Sequence, residues 1–185
     1  AYDCRNQSKE LANQVADVFS SNGIKVYLFS SIRPTPELSF ALLELKCICG
    51  IVLTASHNPP EYNGYKVYWK DGGQIVPPID KKLINEINLV KFKEIKFKRN
   101  DSLVYLIDDE IDNKFVKNSI STGKIGNSNR NDYKIVFTPI HGTSYKILPE
   151  VLKGAGFKDL HIVKEQAVPD GNFSTVKSPN PEEPE

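Results

Sequence analysis

The chain has 185 residues, of which 39% are hydrophobic and 25% are charged, and its net charge is +1. This composition is that of an ordinary globular protein and excludes a disordered chain. The balanced charge argues against a nucleic-acid binder, and no apolar run approaches the ~20 residues that a membrane-spanning helix needs.

Residues 1–54 predict alternating helices and strands. A first helix is expected over 8–22, with Ser8 as N-cap and Gly23 as its stop. Residues 24–29 predict a strand. The expected apolar stripe of the helix consists of Leu11, Val15, Val18 and Phe19.

A second helix and a second strand follow in the same order. The helix begins at Thr35, which is its expected cap, has Pro36 in its first turn, and runs to about residue 46. Residues 50–54 are apolar at consecutive positions, which is typical of a strand that is covered on both faces. The rhythm predicts an α/β fold with mixed sheets flanked by helices.

Residues 65–77 predict a hairpin that turns at 71–73, and a short helix follows over 79–89. Lysines alternate with apolar residues over 91–100. That pattern fits either a basic aromatic strip for nucleic acid or an amphipathic edge strand, and the balanced total charge favours the edge strand.

The α/β rhythm restarts in the second half. The pattern predicts a helix over 108–119 and then a polar loop over 122–132. A strand, a turn, a helix and a strand follow, over 133–139, 140–144, 145–157 and 160–163. We therefore expect two α/β domains, 1–100 and 101–185, with their boundary within about ten residues of position 100.

The ends and the cysteines are informative as well. The chain contains no methionine and closes on a proline- and glutamate-rich stretch, 178–185, that is typical of a linker, so we expect a piece of a longer polypeptide. Three cysteines, Cys4, Cys47 and Cys49, are too few for a disulfide scaffold and favour the reducing cytoplasm.

Ser56 is the first candidate for chemistry. It follows the strand at 50–54, and a strand of a parallel sheet ends at the edge where α/β proteins bind ligands. The sequence Asn58-Pro59-Pro60 prevents the loop from continuing as helix or ladder. Ser56 is either a nucleophile or phosphate contact on a stiff turn, or a serine that caps its own loop, and local features favour neither reading.

Several other site classes are disfavoured. His57 is adjacent to Ser56 in sequence and is poorly placed to act as the base of a triad, and no GxSxG motif is present. Only His141 and His161 remain as a distant base. The sequence contains no P-loop, no GxGxxG motif after a strand, and no histidine spacing typical of zinc.

Lys66 lies just past Asn63-Gly64, a strong turn signal, so the chain can double back and bring this lysine towards Ser56. There it would stabilise phosphate charge or move a proton, unless it is a solvated strand lysine. His141 occupies a second strand-to-helix turn, where it either faces a ligand or packs inside the protein, and packing is favoured. Arg5 and Arg33 either contact phosphate or pair with acids.

The stretch "TASHNPPEYNGYK" resembles the active-site signature of the α-D-phosphohexomutase family. "YDCR" at residues 2–5 is similar to the end of that family's first strand, and "PTPELSFA" to the start of its second helix. "FTPIHGTSY" and "EQAVPDGNFSTVKSPNPEEPE" resemble its second domain and the approach to its third. The stretch "NPPEYNGYKVYWKDGGQ" is most similar to the bacterial-type phosphoglucomutase branch, which also includes phosphopentomutases.

The resemblance implies four α/β domains around one cleft, with Ser56 carrying the phosphoryl group and Lys66 as general acid/base. His57 would act in catalysis by shaping the loop, and Asn58 would bind phosphate, as His141 would if it faces the cleft. Mg²⁺ would bind the phosphate on Ser56. A hexose phosphate would exchange its phosphoryl group between O1 and O6 through a bisphosphate, with glucose 1,6-bisphosphate as activator.

This chain also departs from the family pattern. It lacks the segment before "YDCR", the aspartate-rich metal loop, the sugar-reading loop and the phosphate clamp of domains III and IV. We therefore predict that the chain alone has no mutase activity. Phosphomannomutase or phosphopentomutase specificity stays open, and so does a non-catalytic α/β binding module.

Overall fold

The computed structural model describes residues 1–123, 129–180 and 182–183, which form an α/β structure. The helices are α1 (Ser8–Ser21), α2 (Thr35–Glu44), α3 (Ile79–Leu89), α4 (Asp109–Thr122) and α5 (Ser144–Gly154). The strands are β1 (Val26–Phe29), β2 (Cys49–Leu53), β3 (Tyr65–Trp69), β4 (Val104–Ile107), β5 (Lys134–Phe137) and β6 (Asp159–Ile162). The mixed α/β class predicted from the sequence is confirmed.

The strands of the described residues form three two-stranded sheets: β1 with β4 in parallel, β2 with β3 antiparallel, and β5 with β6 in parallel. Strand β4 was not expected from the sequence. It lies past position 100 and pairs with β1, Val26 opposite Val104. The two-domain division stays a prediction.

Helix α1 begins and packs differently from the prediction. Ser8 is its first helical residue rather than its cap, and the Ser8 hydroxyl donates to Asp3 Oδ1 at 2.7 Å. The helix buries small residues, Ala12 and Ala16, more deeply than the expected apolar stripe, because small side chains allow close approach to the sheet. The predicted stop is confirmed: Gly23 has φ 83°, and its N–H donates to the Ser20 carbonyl.

Strand β2 is covered on both faces where it ends, as predicted: Val52 and Leu53 are adjacent and both buried. Leu53 belongs to a core cluster with Tyr2, Ala12, Ala16 and Leu28. Its ladder to β3 is antiparallel, and a single parallel bridge joins Leu53 to Tyr2 on the other side. Helix α2 starts at Thr35, but the Thr35 side chain is not a cap.

The hairpin after β3 turns as expected, since the Gly72 N–H donates to the Trp69 carbonyl at 2.8 Å. Its second arm is reduced to one bridge, Tyr68 to Gln74. The predicted edge strand over 91–100 is wrong. That segment has a short 3₁₀ turn, and its Lys96 carbonyl accepts hydrogen bonds from the end of α1 instead of from a neighbouring strand.

The second half follows the predicted order, with α5 between two parallel strands and α4 packed against α5. The predicted polar loop over 122–132 and the closing stretch over 178–185 lie partly outside the described residues. No helix of the described residues has both the length and the apolar character required to cross a membrane. The three cysteines are free.

Candidate active site

Ser56 lies on the turn that follows β2, and its side chain is exposed. Its backbone has φ 56°, in the left-handed region that non-glycine residues seldom adopt. The Ser56 N–H donates to Thr54 Oγ1 at 3.0 Å. A strained conformation of this kind costs about 1–3 kcal/mol and persists only where the surroundings fix it, which favours a functional role for the loop.

Arg5 supplies much of that fixation. Its side chain is buried, and its Nε lies 3.5 Å from the Asp3 carboxylate. The two terminal nitrogens donate to the carbonyl oxygens of four loop residues: Ser56, Asn58, Pro59 and Tyr62. From the sequence, two alternatives are open for Arg5: it contacts a phosphate, or it pairs with an acidic residue. The structure shows that it pairs with Asp3 and also holds the loop from behind, a function suited to the fixed fork of guanidinium donors.

His57 and Asn58 extend from the same exposed loop. The His57 Nδ1 lies 3.4 Å from Ser56 Oγ, a long and weak contact that agrees with the expectation that His57 is not a triad base. The Asn58 carbonyl accepts a hydrogen bond from Arg5, and Asn58 itself is exposed. Their roles towards phosphate stay predictions.

Lys66 lies in β3 opposite Val52 of β2, so the chain does double back after Asn63-Gly64. The turn is tight: the Asn63 side chain accepts from the Gly64 N–H and donates to Ser8 Oγ. Within the described residues, no hydrogen bond joins Lys66 to Ser56. The sequence thus predicted the return of the strand, and the acid/base role of Lys66 stays a prediction.

Gly64 is needed for the close approach of the two strands at the base of this loop. The Thr54 N–H donates to the Gly64 carbonyl at 3.0 Å, and a Cβ at position 64 would lie only 2.5 Å from the Thr54 carbonyl oxygen. We expect Gly64→Ala to separate the strands and lower the free energy of unfolding by about 1–3 kcal/mol, measured by urea denaturation. Gly73→Ala, whose Cβ would meet nothing closer than 3.4 Å, is the control and should unfold near the wild-type midpoint.

Arg33 forms the centre of a second charged group. It precedes α2 in the chain, whereas Ser56 follows that helix. Its side chain is fully buried and binds both oxygens of Asp112, at 2.7 and 2.8 Å, as well as Asp108. Lys146 of α5 donates to Asp112 at 2.7 Å. The alternative that Arg33 pairs with acids is therefore correct. Arg33 joins the segment before α2 to α4, and Lys146 joins α4 to α5.

Asp108, Asp109 and Asp112 bring carboxylate oxygens within 4.8 Å of one another, a spacing that could hold a metal ion. The Lys146 ammonium donates to Asp109 and Asp112, and Arg33 donates to Asp108 and Asp112. These two cations already neutralise most of the acidic charge. We therefore interpret the cluster as an ion-pair network rather than a cation site.

His141 is buried, and both of its ring nitrogens have partners at 2.8 Å, the Val168 carbonyl and Thr175 Oγ1. This arrangement favours the packing interpretation of His141 over a phosphate contact. The phosphate contact stays a prediction.

A large apolar cavity of about 710 Å³ lies between α1, α2, β1 and β2. Ser56 does not line it, so the cavity and the candidate active site are separate.

Known proteins resemble this chain over nearly its whole length. Residues 1–94 match the family described as phosphoglucomutase/phosphomannomutase, alpha/beta/alpha domain I, and residues 113–185 match domain II of that family. A Staphylococcus haemolyticus phosphoglucomutase is 40% identical over 189 residues, which cover 100% of this chain and 34% of that protein. A Haemophilus influenzae protein named "Probable phosphomannomutase" is 39% identical over 98% of this chain and 38% of its own length.

Solved structures share the fold. A phosphoglucomutase/phosphomannomutase family protein from Burkholderia thailandensis has a TM-score of 0.69 at 24% identity, covering 93% of this chain and 36% of its own. At this identity the likeness shows the fold alone. The chain spans about a third of the length of the curated relatives that it matches.

Proposed function

The chain belongs to the phosphoglucomutase/phosphomannomutase family, whose members of those names are isomerases, and we propose that Ser56 carries the phosphoryl group of a phosphosugar mutase. The observation that carries the proposal is the loop itself. An exposed serine sits at φ 56° on a turn that a buried arginine fixes through four carbonyl oxygens. Phosphoryl transfer depends on such positioning, because little covalent chemistry is left for the protein to supply.

In the proposed reaction, phosphorylated Ser56 gives its phosphoryl group to a free hydroxyl of a hexose phosphate. The P–O bond to Ser56 Oγ breaks as the bond to the sugar oxygen forms, which yields a hexose bisphosphate. After the sugar turns over, its other phosphoryl group returns to Ser56, and the phosphate has moved between O1 and O6. Lys66 is proposed to take the proton of the attacking hydroxyl and to return it in the second half-reaction.

The outer surface of the loop is the proposed phosphate site. His57 and Asn58 are exposed beside Ser56, so a phosphoryl group on Ser56 Oγ would lie next to both side chains. Because the backbone carbonyls of the loop point towards Arg5, they are kept away from the negatively charged group. Arg5 binds the inner surface of the loop, and the outer surface is exposed to a ligand. This arrangement supports the proposal.

Mg²⁺ is the proposed metal, bound in this chain through an oxygen of the phosphate on Ser56. The Asp3 carboxylate is bound by Arg5 and accepts a hydrogen bond from the Ser8 hydroxyl, so it is already engaged within the protein. A bound Mg²⁺ would spread the charge that develops during transfer. Its other ligands, and the residues that choose glucose, mannose or a pentose, are proposed to come from two further domains.

Intact mass spectrometry tests the function of Ser56. A full-length polypeptide carrying this chain is incubated with glucose 1,6-bisphosphate, the proposed activator. We expect the gain of one phosphoryl group, mapped by peptide fragmentation to Ser56, and no gain in Ser56→Ala. A wild-type protein that stays unlabelled would favour the non-catalytic binding module instead.

The prediction that these 185 residues alone have no mutase activity needs a separate test. A coupled assay with glucose 1-phosphate should give the same rate for the isolated chain and its Ser56→Ala variant, because the sugar-reading and metal-binding walls of the cleft are missing. Turnover above that control would show that the chain is sufficient by itself.

The predicted cytoplasmic location agrees with three free cysteines and stays a prediction.

A further inference from the structure

A segment near the end of the chain packs against the arginine that holds the Ser56 loop. The Phe173 ring centre lies 5.3 Å from the Arg5 guanidinium carbon, within the range of a cation–π interaction. Phe173 is only 6% exposed and has φ 52°, again in the left-handed region. The two residues therefore meet across 168 positions of sequence in a buried and conformationally restricted contact.

The local turn fixes the position of Phe173. The Asp170 carboxylate accepts hydrogen bonds from the Ser174 hydroxyl and from the N–H groups of Ser174 and Asn172. The same bonds lower the pKa of Asp170 to about 2. Beyond this turn, the His141 ring binds Val168 and Thr175, so the segment is tied on both sides of Phe173.

The same segment touches the backbone next to Arg5. A Cβ at Gly171 would lie 2.8 Å from both the Cys4 carbonyl oxygen and the Asn6 nitrogen, so only glycine allows this approach. The Asn6 side chain donates to Asn172 Oδ1 at 2.9 Å. Residues 170–173 thus pack against Arg5 and against the backbone on both sides of it in the chain.

We propose that Phe173 is a positioning residue for Ser56 and acts through Arg5. The ring restricts the guanidinium to the orientation in which it reaches four loop carbonyls, and those bonds keep Ser56 in its strained conformation. An arginine side chain has several rotatable bonds, so a fixed surface on one side reduces the entropy lost when it makes these bonds. The inference rests on the proposed function of Ser56.

A graded series of replacements at Phe173 tests the interaction, and the fluorinated phenylalanines in the series keep the shape of the ring. In the full-length polypeptide, Phe173 is replaced by leucine, by tyrosine, and by mono- and trifluorinated phenylalanine, and the rate of Ser56 labelling by glucose 1,6-bisphosphate is measured at saturating reagent. We expect Phe173→Leu to slow labelling by about three- to thirty-fold, the range that cation–π contacts span from exposed to desolvated sites. Phe173→Tyr should restore most of the rate, and the rate should fall stepwise as fluorine weakens the negative face of the ring.

Hydrogen exchange gives a second readout that does not need catalysis. The amides of Ser56, Asn58 and Tyr62 donate to Thr54 Oγ1, the Ala55 carbonyl and the Pro59 carbonyl, and they report on the loop directly. We expect Phe173→Leu to speed exchange at these amides while β5 and β6 stay protected.

The two proposals fail in different ways. If the wild type is not labelled at all, the proposed function fails, and the exchange of the loop amides alone decides the role of Phe173. If the wild type is labelled and the fluorinated series keeps both its rate and its exchange, Phe173 is ordinary packing and the inference is overturned. Should Phe173→Leu fail to fold, the fluorinated series gives the same decision, because it keeps the shape of the ring.

Discussion

Replacing Arg5 by methionine should slow the labelling of Ser56 by about a hundredfold, the order of effect that a displacement of ~1 Å has on a positioned reacting group. Methionine keeps an unbranched apolar side chain but has no donors, so the carbonyl oxygens of Ser56, Asn58, Pro59 and Tyr62 lose their shared partner. The loop can then relax from the strained conformation at Ser56. The measurement is the single-turnover rate with glucose 1,6-bisphosphate.

The matched control is Arg99→Met. Arg99 makes ion pairs with Asp17 and Asp101 at the surface, and its side chain is 31% exposed. Surface pairs of this kind contribute little, so we expect near wild-type labelling. Arg5→Lys should resemble Arg5→Met, because one ammonium cannot reach two pairs of carbonyls as the guanidinium fork does. Equal rates for Arg5→Met and the wild type would show that the loop holds itself.

The sequence predicts helices and turns correctly where neighbouring residues determine them. Helix α3 begins and ends where predicted, and the turn at Asp71–Gly73 and the stop at Gly23 are as expected. In each case the residues that decide the structure are neighbours in the chain. The expected cap at Ser8 failed for a different reason: its hydroxyl donates to Asp3 and accepts from the side chain of Asn63, which lies 55 positions later in the chain.

The support of the candidate site could not be read from the sequence. The carbonyls that bind Arg5 lie 51 to 57 positions later in the chain, and any residue type supplies a carbonyl. Strand β4 was missed because its partner β1 is separated from it by α2, β2, β3 and α3. The serine is thus marked in the sequence by its loop motif, whereas the arrangement that holds it depends on long-range contacts that leave no pattern.

The ion-pair network around Arg33 also depends on contacts between residues far apart in sequence, and it makes the stability of the protein depend on pH. It contains Glu37 of α2, which is fully buried and whose Oε1 lies 3.8 Å from Arg33 Nε. Neither carboxyl oxygen of Glu37 has a hydrogen-bond partner of ordinary geometry among the described residues. Burial is therefore the first cause that raises the pKa of Glu37, to about 8, and the neighbouring Asp112 charge adds to it, while Arg33 and Lys146 act in the opposite direction.

A raised pKa means that the folded protein keeps a proton on Glu37 that the unfolded chain releases near its ordinary value of 4.5. The stabilisation is complete below that value and is lost as pH rises towards 8. The slope for one such proton is about 1.4 kcal/mol per pH unit. We therefore expect the wild type to lose stability relative to Glu37→Gln between pH 5 and 8, since glutamine keeps the neutral form at every pH.

Urea unfolding of both proteins at pH 5, 6, 7 and 8 measures this difference, in which the contributions of groups common to both proteins cancel. Glu44→Gln, at the exposed end of the same helix, is the control and should follow the wild-type curve. Parallel curves for wild type and Glu37→Gln would mean that Glu37 is ionised in the folded protein. Arg33 contacts both Glu37 of α2 and Asp112 of α4, and Lys146 of α5 donates to Asp112, so the expected slope would report the titration of a carboxyl where α2, α4 and α5 meet.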